Sequence, residues 1–152
     1  MGIKMTTGLL VLLLSVWAGV VAVVAQSPAT DAQNLAPPGG MQLVEGYQHR
    51  RVFGFDTARG VIWKDGGPRI DYEIDTSGPN QAKNYPQTAK GIWRTTMKVN
   101  GVLQDVVLDT EAHTVVVTIG SHSNFSATSV KSNRDLTEIL LMITSYDVHK
   151  LL

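Results

Sequence analysis

Residues 93–108, with the sequence WRTTMKVNGVLQDVVL, decide the fold class of this chain. Apolar and polar residues alternate through the first half, which is the period of a β-strand with one buried face. Asn100-Gly101 at the centre favours the positive φ angles of a type I′ turn. The stretch is therefore predicted to be a hairpin that puts most apolar residues on one face, with the pairs Val99–Val102, Met97–Gln104, Thr95–Val106 and Trp93–Leu108.

The segments around this hairpin also carry strand patterns. Residues 113–119 are dense in β-branched side chains and are expected to fold back on residues 102–108. A second hairpin is predicted at Asp65-Gly66-Gly67, and weaker strand candidates lie at residues 50–55 and 124–128. Short strands with tight turns predict a mainly β protein, an antiparallel meander that forms a small sandwich or barrel.

The C-terminal part of the chain changes period and predicts a helix over residues 135–152. Its apolar residues share one helical face, at Leu136, Ile139, Leu140 and Ile143. Asn133 or Asp135 can cap the first amides. A strand over residues 139–143 fits the same apolar run, but the acidic start and the length favour the helix.

The first 25 residues are predicted to direct export. Lys4 precedes residues 8–25, an apolar run without an ionisable side chain, and this order is typical of a signal peptide. Ala25 suits cleavage, so we expect a secreted protein, periplasmic or extracellular. Because about 18 apolar residues lie at the low edge of a spanning length, an uncleaved N-terminal membrane anchor helix is the alternative.

The rest of the chain divides into two parts by composition. Residues 26–40 are rich in Pro, Ala and Gly and short of large apolar side chains, so they are expected to be a flexible tether. Residues 41–152 are expected to form a single β-rich exported domain, since that length can bury a core.

The composition excludes several classes of function. The 152 residues contain 13 basic and 13 acidic side chains, so there is no electrostatic footprint for nucleic acid. Contact with a membrane is expected only through residues 1–25. The chain has no cysteine, so its core must stabilise it without disulfides. No phosphate loop, dinucleotide fingerprint or Ser–His nucleophile motif occurs, and no cofactor is expected.

Residues 76–87, TSGPNQAKNYPQ, predict a long exposed loop, because turn-forming residues cluster there with little periodicity. Within this loop Tyr85 and Asn84 are candidate ligand contacts. Arg50 and Arg51 are candidate anion contacts near the domain start, but a solvated strand entry is the favoured explanation. Trp93 and Tyr72 lie in alternating strands and are predicted to be core.

Asp109-Thr110 follows an apolar strand in residues 106–117, VVLDTEAHTVVV. These dozen residues resemble the active-site turn of retroviral-type aspartic proteases, which implies a pair of carboxylates sharing a proton across a dimer. Glu111 stands where that family has a glycine, the residue that lets the backbone turn tightly. We therefore favour a hairpin turn with two exposed acids.

Two sets of residues are candidate cation sites, one of carboxylates with histidines and one of carboxylates alone. The set that suits zinc by its carboxylate and imidazole groups is Asp109, Glu111, His113 and His122. Its spacing matches no ligand motif. The acids that alternate along one strand, too widely spaced for one calcium ion, are Asp71, Glu73 and Asp75. We expect these to form a solvated face whose cross-strand partners are Arg94, Thr96 and Lys98.

These features favour an exported, non-catalytic β domain that binds a protein or an envelope ligand through its loops. The first alternative is a hydrolase or metal-dependent enzyme centred on Asp109, Glu111 and His113. The second alternative is a structural component of an envelope assembly.

Overall fold

The computed structural model describes residues 36–52, 57–75 and 77–150. Within them, seven strands and one helix follow one another, with two short 3₁₀ turns at Pro38–Gly40 and Gln81–Asn84. The strands are β1 (Gln48–Val52), β2 (Ala58–Trp63), β3 (Arg69–Ile74), β4 (Ile92–Val99), β5 (Val102–Asp109), β6 (Thr114–Ile119) and β7 (Ser123–Thr128), and the helix is α1 (Asn133–Thr144). The predicted export segment and residues 26–35 of the predicted tether lie outside the described residues.

The seven strands form one antiparallel sheet in the order β1-β2-β3-β7-β6-β5-β4. Two meanders, β1–β3 and β4–β7, are joined where β3 pairs with β7. The mainly β class and the presence of a C-terminal helix are thus confirmed, but the helix ends at Thr144 and does not continue through residues 145–150 as predicted. The expected sandwich or barrel is wrong for the described strands, because β1 and β4 end the sheet at opposite edges. A helix on one face and a loop on the other take the place of a second sheet.

The β4–β5 hairpin has the predicted register. Val99 pairs with Val102 and Trp93 pairs with Leu108, with no slip between them. Asn100 and Gly101 adopt φ angles of 50° and 84°, as a type I′ turn requires. Local turn chemistry and alternation point to the same pairing, and the hairpin is confirmed.

The other predicted strands are also present. β2 and β3 form the hairpin around residues 65–67, and β6 pairs with β5 as expected. β7 covers the weaker candidate at residues 124–128. β1 covers the first part of the candidate at residues 50–55, of which residues 53–55 lie outside the described residues.

Helix α1 supplies the main core on one face of the sheet. The Ser132 side chain accepts a hydrogen bond from the Asp135 amide at 3.1 Å, so the N-cap is Ser132 and not Asn133 or Asp135 as predicted. Ile139, Met142 and Ile143 are fully buried, and burying each such side chain stabilises the fold by roughly 1.5–3 kcal/mol.

The chain before β1 packs against the end of α1. Pro38 and Gly39, which the prediction placed in the tether, are buried. The Gly39 carbonyl oxygen accepts a hydrogen bond from the Asp147 amide at 3.0 Å. A Cβ at position 39 would stand 2.5 Å from the Tyr146 ring, so this close approach requires a glycine.

The loop between β3 and β4 was expected to be exposed, and this is wrong for its middle part. Ala82 is completely buried and packs with Val107 and Val116 on the sheet face opposite α1. Asn124, 2% exposed, accepts a hydrogen bond from the Gln81 amide at 3.0 Å. The loop therefore covers part of this face, and we call that face the loop face.

Two side-chain placements also differ from prediction. Tyr72 is buried, as expected, but Trp93 is 54% exposed. No β4 residue belongs to the core beneath α1, because one helix covers the middle of the sheet and leaves the edge uncovered. The alternation of Trp93 indicated its face correctly but not whether that face is covered.

The acidic residues of β3 have other partners than predicted. β3 lies between β2 and β7, far from β4 in the sheet order. Glu73 pairs with Arg59, and Asp71 pairs with Arg69 at 2.6 Å. The predicted partners Arg94, Thr96 and Lys98 lie on β4, which is an edge strand three strands beyond β7. Each of these ion pairs is largely exposed, so it contributes little to stability, about 0–1 kcal/mol.

Candidate functional site

The turn after β5 is organised by Asp109. Its Oδ1 accepts hydrogen bonds from the Glu111 amide at 3.1 Å and from the Ala112 amide at 2.8 Å, which is the behaviour of an aspartate that shapes a turn. His113 follows with a φ of 52° and is exposed. Glu111 is also exposed, and its carboxylate is 3.8 Å from the Lys90 ammonium group. The turn thus uses one oxygen of Asp109 for its own structure.

His122 does not join this group. It lies in the turn between β6 and β7, at the opposite end of β6 from His113. Six strand residues separate the two turns, or about 20 Å at the usual rise of a strand. The His122 Nδ1 is 2.8 Å from the Gly78 carbonyl oxygen. In the described part of the chain no three His, Asp or Glu side chains gather where they would hold a metal ion.

Two of the predicted contacts instead meet the acidic turn. Asn84 and Tyr85, from the loop before β4, line the same surface concavity as Asp109 and Glu111. This concavity is open and shallow, with a volume of about 800 Å³. We call it the loop concavity, and its lining residues are Asn84, Tyr85, Pro86, Ala89, Lys90, Ile92, Asp109, Glu111 and Ala112.

Hydrogen bonds tie the two loops of the concavity together. The amide and hydroxyl of Thr110 both donate to the Gly91 carbonyl oxygen, at 2.9 and 3.0 Å. Gly91 has a φ of 76°, and a Cβ there would stand 2.8 Å from the Glu111 side chain. The Arg94 guanidinium donates to the Tyr85 carbonyl oxygen at 3.0 Å. The bonds from Thr110 and from Arg94 therefore fix the position of the two loops relative to each other.

The loop that carries Asn84 and Tyr85 is anchored to the sheet by buried polar groups. Asn124 Oδ1 accepts from the Thr118 hydroxyl at 2.8 Å, and Asn124 Nδ2 donates to the Pro79 carbonyl oxygen at 3.0 Å. The Thr118 hydroxyl oxygen accepts from the Ala82 amide at 3.2 Å. Nothing in the one-dimensional pattern indicated these contacts, since Asn124 lies in a weak strand candidate.

Asp105 anchors the same loop from β5. Its carboxylate accepts from the Thr96 hydroxyl at 2.6 Å and from Asn80 Nδ2 at 2.7 Å. The hydrogen bond from Thr96 lowers the pKa of Asp105 most, and the one from Asn80 lowers it further, against the effect of desolvation. Asp105 is therefore a charged anchor beneath the loop.

The floor of the loop concavity is apolar and its rim is charged. Tyr85 and Ile92 are half-buried and pack on the small core of the loop face. Two carboxylates, of Asp109 and Glu111, and one ammonium group, of Lys90, line the concavity. This combination suits a side chain that is aliphatic along its length and positively charged at its end.

Arg50 and Arg51 point to opposite faces of β1, as adjacent strand residues must. Arg50 lines a groove of about 450 Å³ on the loop face, beside Arg59 and Arg69. Arg59 and Arg69 are paired with acids of β3, and no ion pair of Arg50 occurs among the described residues. The structure therefore does not bring Arg50 and Arg51 into one site, nor either of them to the loop concavity.

Comparisons with protein-family models, curated proteins and solved structures found no match to this chain. Within residues 36–52, 57–75 and 77–150, no helix has both the length and the apolar character to cross a membrane.

Proposed function

We propose that this chain is an exported, non-catalytic binding domain that contacts its partner through the loop concavity. One observation carries the proposal. Tyr85 and Asn84, which the sequence predicts as loop contacts, share one concavity with Asp109 and Glu111, which a different sequence feature predicts as candidate site residues. Independent sequence signals that converge on one surface support binding there.

The chemistry of the concavity favours a partner segment with a lysine or arginine side chain. The aliphatic part of that side chain would lie on Tyr85 and Ile92, and its charge would approach the carboxylates of Asp109 and Glu111. A cation close to the Tyr85 ring would also gain from its π electrons. Because the rim is exposed, the charges are expected to set specificity and association rate more than affinity.

The position of Asp109 supports binding over hydrolysis. Its Oδ1 is occupied by two turn amides, and His113 has no hydrogen bond to either carboxylate among the described contacts. A nucleophile and base that act as a pair have their side chains within hydrogen-bond reach of each other. The enzyme alternative predicts that Asp109→Ala and His113→Ala remove an activity without unfolding the chain.

Export rests on residues 1–25 and is part of the same proposal. Mass spectrometry of the protein from producing cells would distinguish its two forms. A chain that begins after Ala25 would be a secreted or periplasmic domain, and a chain that begins near Met1 would be anchored to the membrane. A cytoplasmic chain with an intact N-terminus would contradict export.

Photo-cross-linking in producing cells tests the binding site. A benzophenone amino acid replaces Tyr85 in the full chain, and a control carries it at Glu45, which is exposed and precedes β1. We expect protein adducts from position 85 that weaken when Asp109→Asn and Glu111→Gln are added. Asparagine keeps the Oδ1 acceptor of the turn while it removes the charge. Adducts equal at both positions, or insensitive to these substitutions, would contradict the proposal.

A further inference from the structure

Strand β4 is an edge strand with free backbone groups. It is the last strand of the sheet and pairs only with β5. The odd-numbered residues of β4, from Trp93 to Val99, point their backbone N–H and C=O groups toward β5. The backbone groups of Arg94, Thr96 and Lys98 therefore point outward, and no backbone hydrogen bond from another described segment reaches them. Such an edge readily accepts a further strand.

Apolar side chains lie directly beside this edge. Trp93 is 54% exposed and Met97 is 37% exposed. They are two of the few exposed large hydrophobic residues in the described chain, and both lie on the face that carries α1. In a monomer, an eight-residue edge with these side chains would be prone to association.

We propose that a second copy of this chain pairs with β4 in antiparallel orientation, about a two-fold axis at Thr95. Residues whose backbone groups point outward must pair with residues of the same kind on the second copy. The possible registers therefore differ by steps of two residues. With Thr95 opposite Thr95 of the second copy, Trp93 lies opposite Met97 of that copy, and the converse pair forms as well. This is a non-hydrogen-bonded position, where side chains come closest, and methionine sulfur packs favourably against aromatic rings.

The charges of β4 select this register over its neighbours. A shift of two residues in one direction puts Arg94 opposite Lys98 of the second copy, and a shift in the other direction puts Arg94 opposite itself. Like charges directly opposite one another are destabilising. In the proposed register Arg94 lies opposite Thr96 of the second copy, and Lys98 lies opposite Ile92.

The same register brings opposite charges together across the interface. Thr96 neighbours Asp105 on β5, and Ile92 neighbours Asp109. Arg94 of the second copy would thus lie two strand spacings from Asp105, about 10 Å between Cα atoms, so opposite charges approach across the short threonine while each Arg94 keeps its hydrogen bond to Tyr85 of its own chain. Lys98 of the second copy has the same relation to Asp109. The backbone pairing needs only the β4 edge and does not rest on the proposed function, although Lys98 of the second copy would lie beside Asp109 at the rim of the loop concavity.

The absence of cysteine from the chain allows a direct test by disulfide cross-linking. Thr95→Cys is introduced into the full-length gene, and the protein is isolated from producing cells, in detergent if residues 1–25 are retained. Facing Cα atoms at this position are expected about 4.5 Å apart, within the range of a disulfide. The matched control is Lys98→Cys, whose two copies would lie about 20 Å apart along the strands. Under mild oxidation Thr95→Cys should form covalent dimers at least about tenfold faster than the control.

A mixed pair of variants tests the register independently. Trp93→Cys and Met97→Cys should each cross-link poorly alone and efficiently when the two proteins are mixed. Equal rates for Thr95→Cys and Lys98→Cys, or preferential cross-linking of Thr96→Cys, would overturn the inference. So would a folded Thr95→Cys chain that stays monomeric, which would leave the edge to a strand from another protein. None of these results depends on the adducts formed at Tyr85.

Discussion

Tyr72 lies directly across Gly60, its partner on the neighbouring strand. A Cβ at position 60 would collide with the Tyr72 hydroxyl and ring, and would stand 2.6 Å from the Arg50 carbonyl oxygen. The Tyr72 hydroxyl is 2.9 Å from Nε2 of His49. The two rings are stacked, with 5.8 Å between their centroids. Burial raises the pKa of Tyr72 to about 12. The missing side chain of Gly60 thus lets an aromatic residue of β3 reach edge strand β1.

Gly60→Ala is expected to destabilise the domain by about 1–3 kcal/mol, because the new methyl group must displace the ring or the backbone of β1. Urea unfolding measures the change. Gly67→Ala is the matched control, since its nearest neighbours are atoms of the Lys64 side chain at 3.4 Å. Equal stability of the two variants would contradict the close packing of Tyr72 on Gly60.

Asn124→Ala is expected to cost about 1–3 kcal/mol, because it leaves the Gln81 amide and the Pro79 carbonyl without their partner. Hydrogen exchange of residues 77–85 should accelerate more than exchange in α1. Asn84→Ala, at an exposed position of the same loop, serves as the control and should change neither quantity. Uniform acceleration across the domain would indicate that Asn124 stabilises the fold without specifically anchoring the loop.

Glu138 should make stability depend on pH below the ordinary range of a glutamate. It is 7% exposed, and hydrogen bonds from Arg134 and then Lys64 lower its pKa. The unfolded chain therefore takes up the proton first, so the stabilisation present above pH 4.5, the ordinary value, is lost as the pH falls through the lower folded value.

Thermal melting between pH 7 and pH 3 tests this dependence with Glu138→Gln. The variant should melt at a lower temperature at pH 7 and should lose less of its stability on acidification. Glu45→Gln, at an exposed position, is the control and should follow the original protein. If the melting temperature of Glu138→Gln falls with pH as steeply as that of the original protein, other carboxylates cause the acid sensitivity.

Phe125 and Trp93 should respond very differently to truncation. Phe125 is fully buried, with Tyr146 packed edge-on at 5.3 Å, so Phe125→Ala is expected to cost about 3–5 kcal/mol. Trp93→Ala should change the stability of the dilute protein by no more than about 1 kcal/mol, because more than half of the side chain is in solvent. If urea unfolding shows similar losses of stability for the two variants, Trp93 is a core residue and its exposed position is contradicted.

The site could be predicted from sequence only in part. Asn84 and Tyr85 were predicted as loop residues because turn-forming residues surround them, and Asp109 and Glu111 as turn residues because they lie between two predicted strands. That they meet depends on Thr110 bonding to Gly91, a contact between segments that are distant in the chain. The anchor Asn124 was missed, since a single buried asparagine leaves no periodic signal.

The sequence by itself determined the β4–β5 hairpin, its register and the C-terminal helix, because turn dihedrals and hydrophobic period are local properties. Only the tertiary structure decided that β3 pairs with β7, that Ala82 is buried on the loop face and that Trp93 is exposed. Alternation specifies which side of a strand an apolar residue occupies. Whether that side is covered depends on where distant segments pack, and one helix of twelve residues covers only the middle of a seven-stranded sheet.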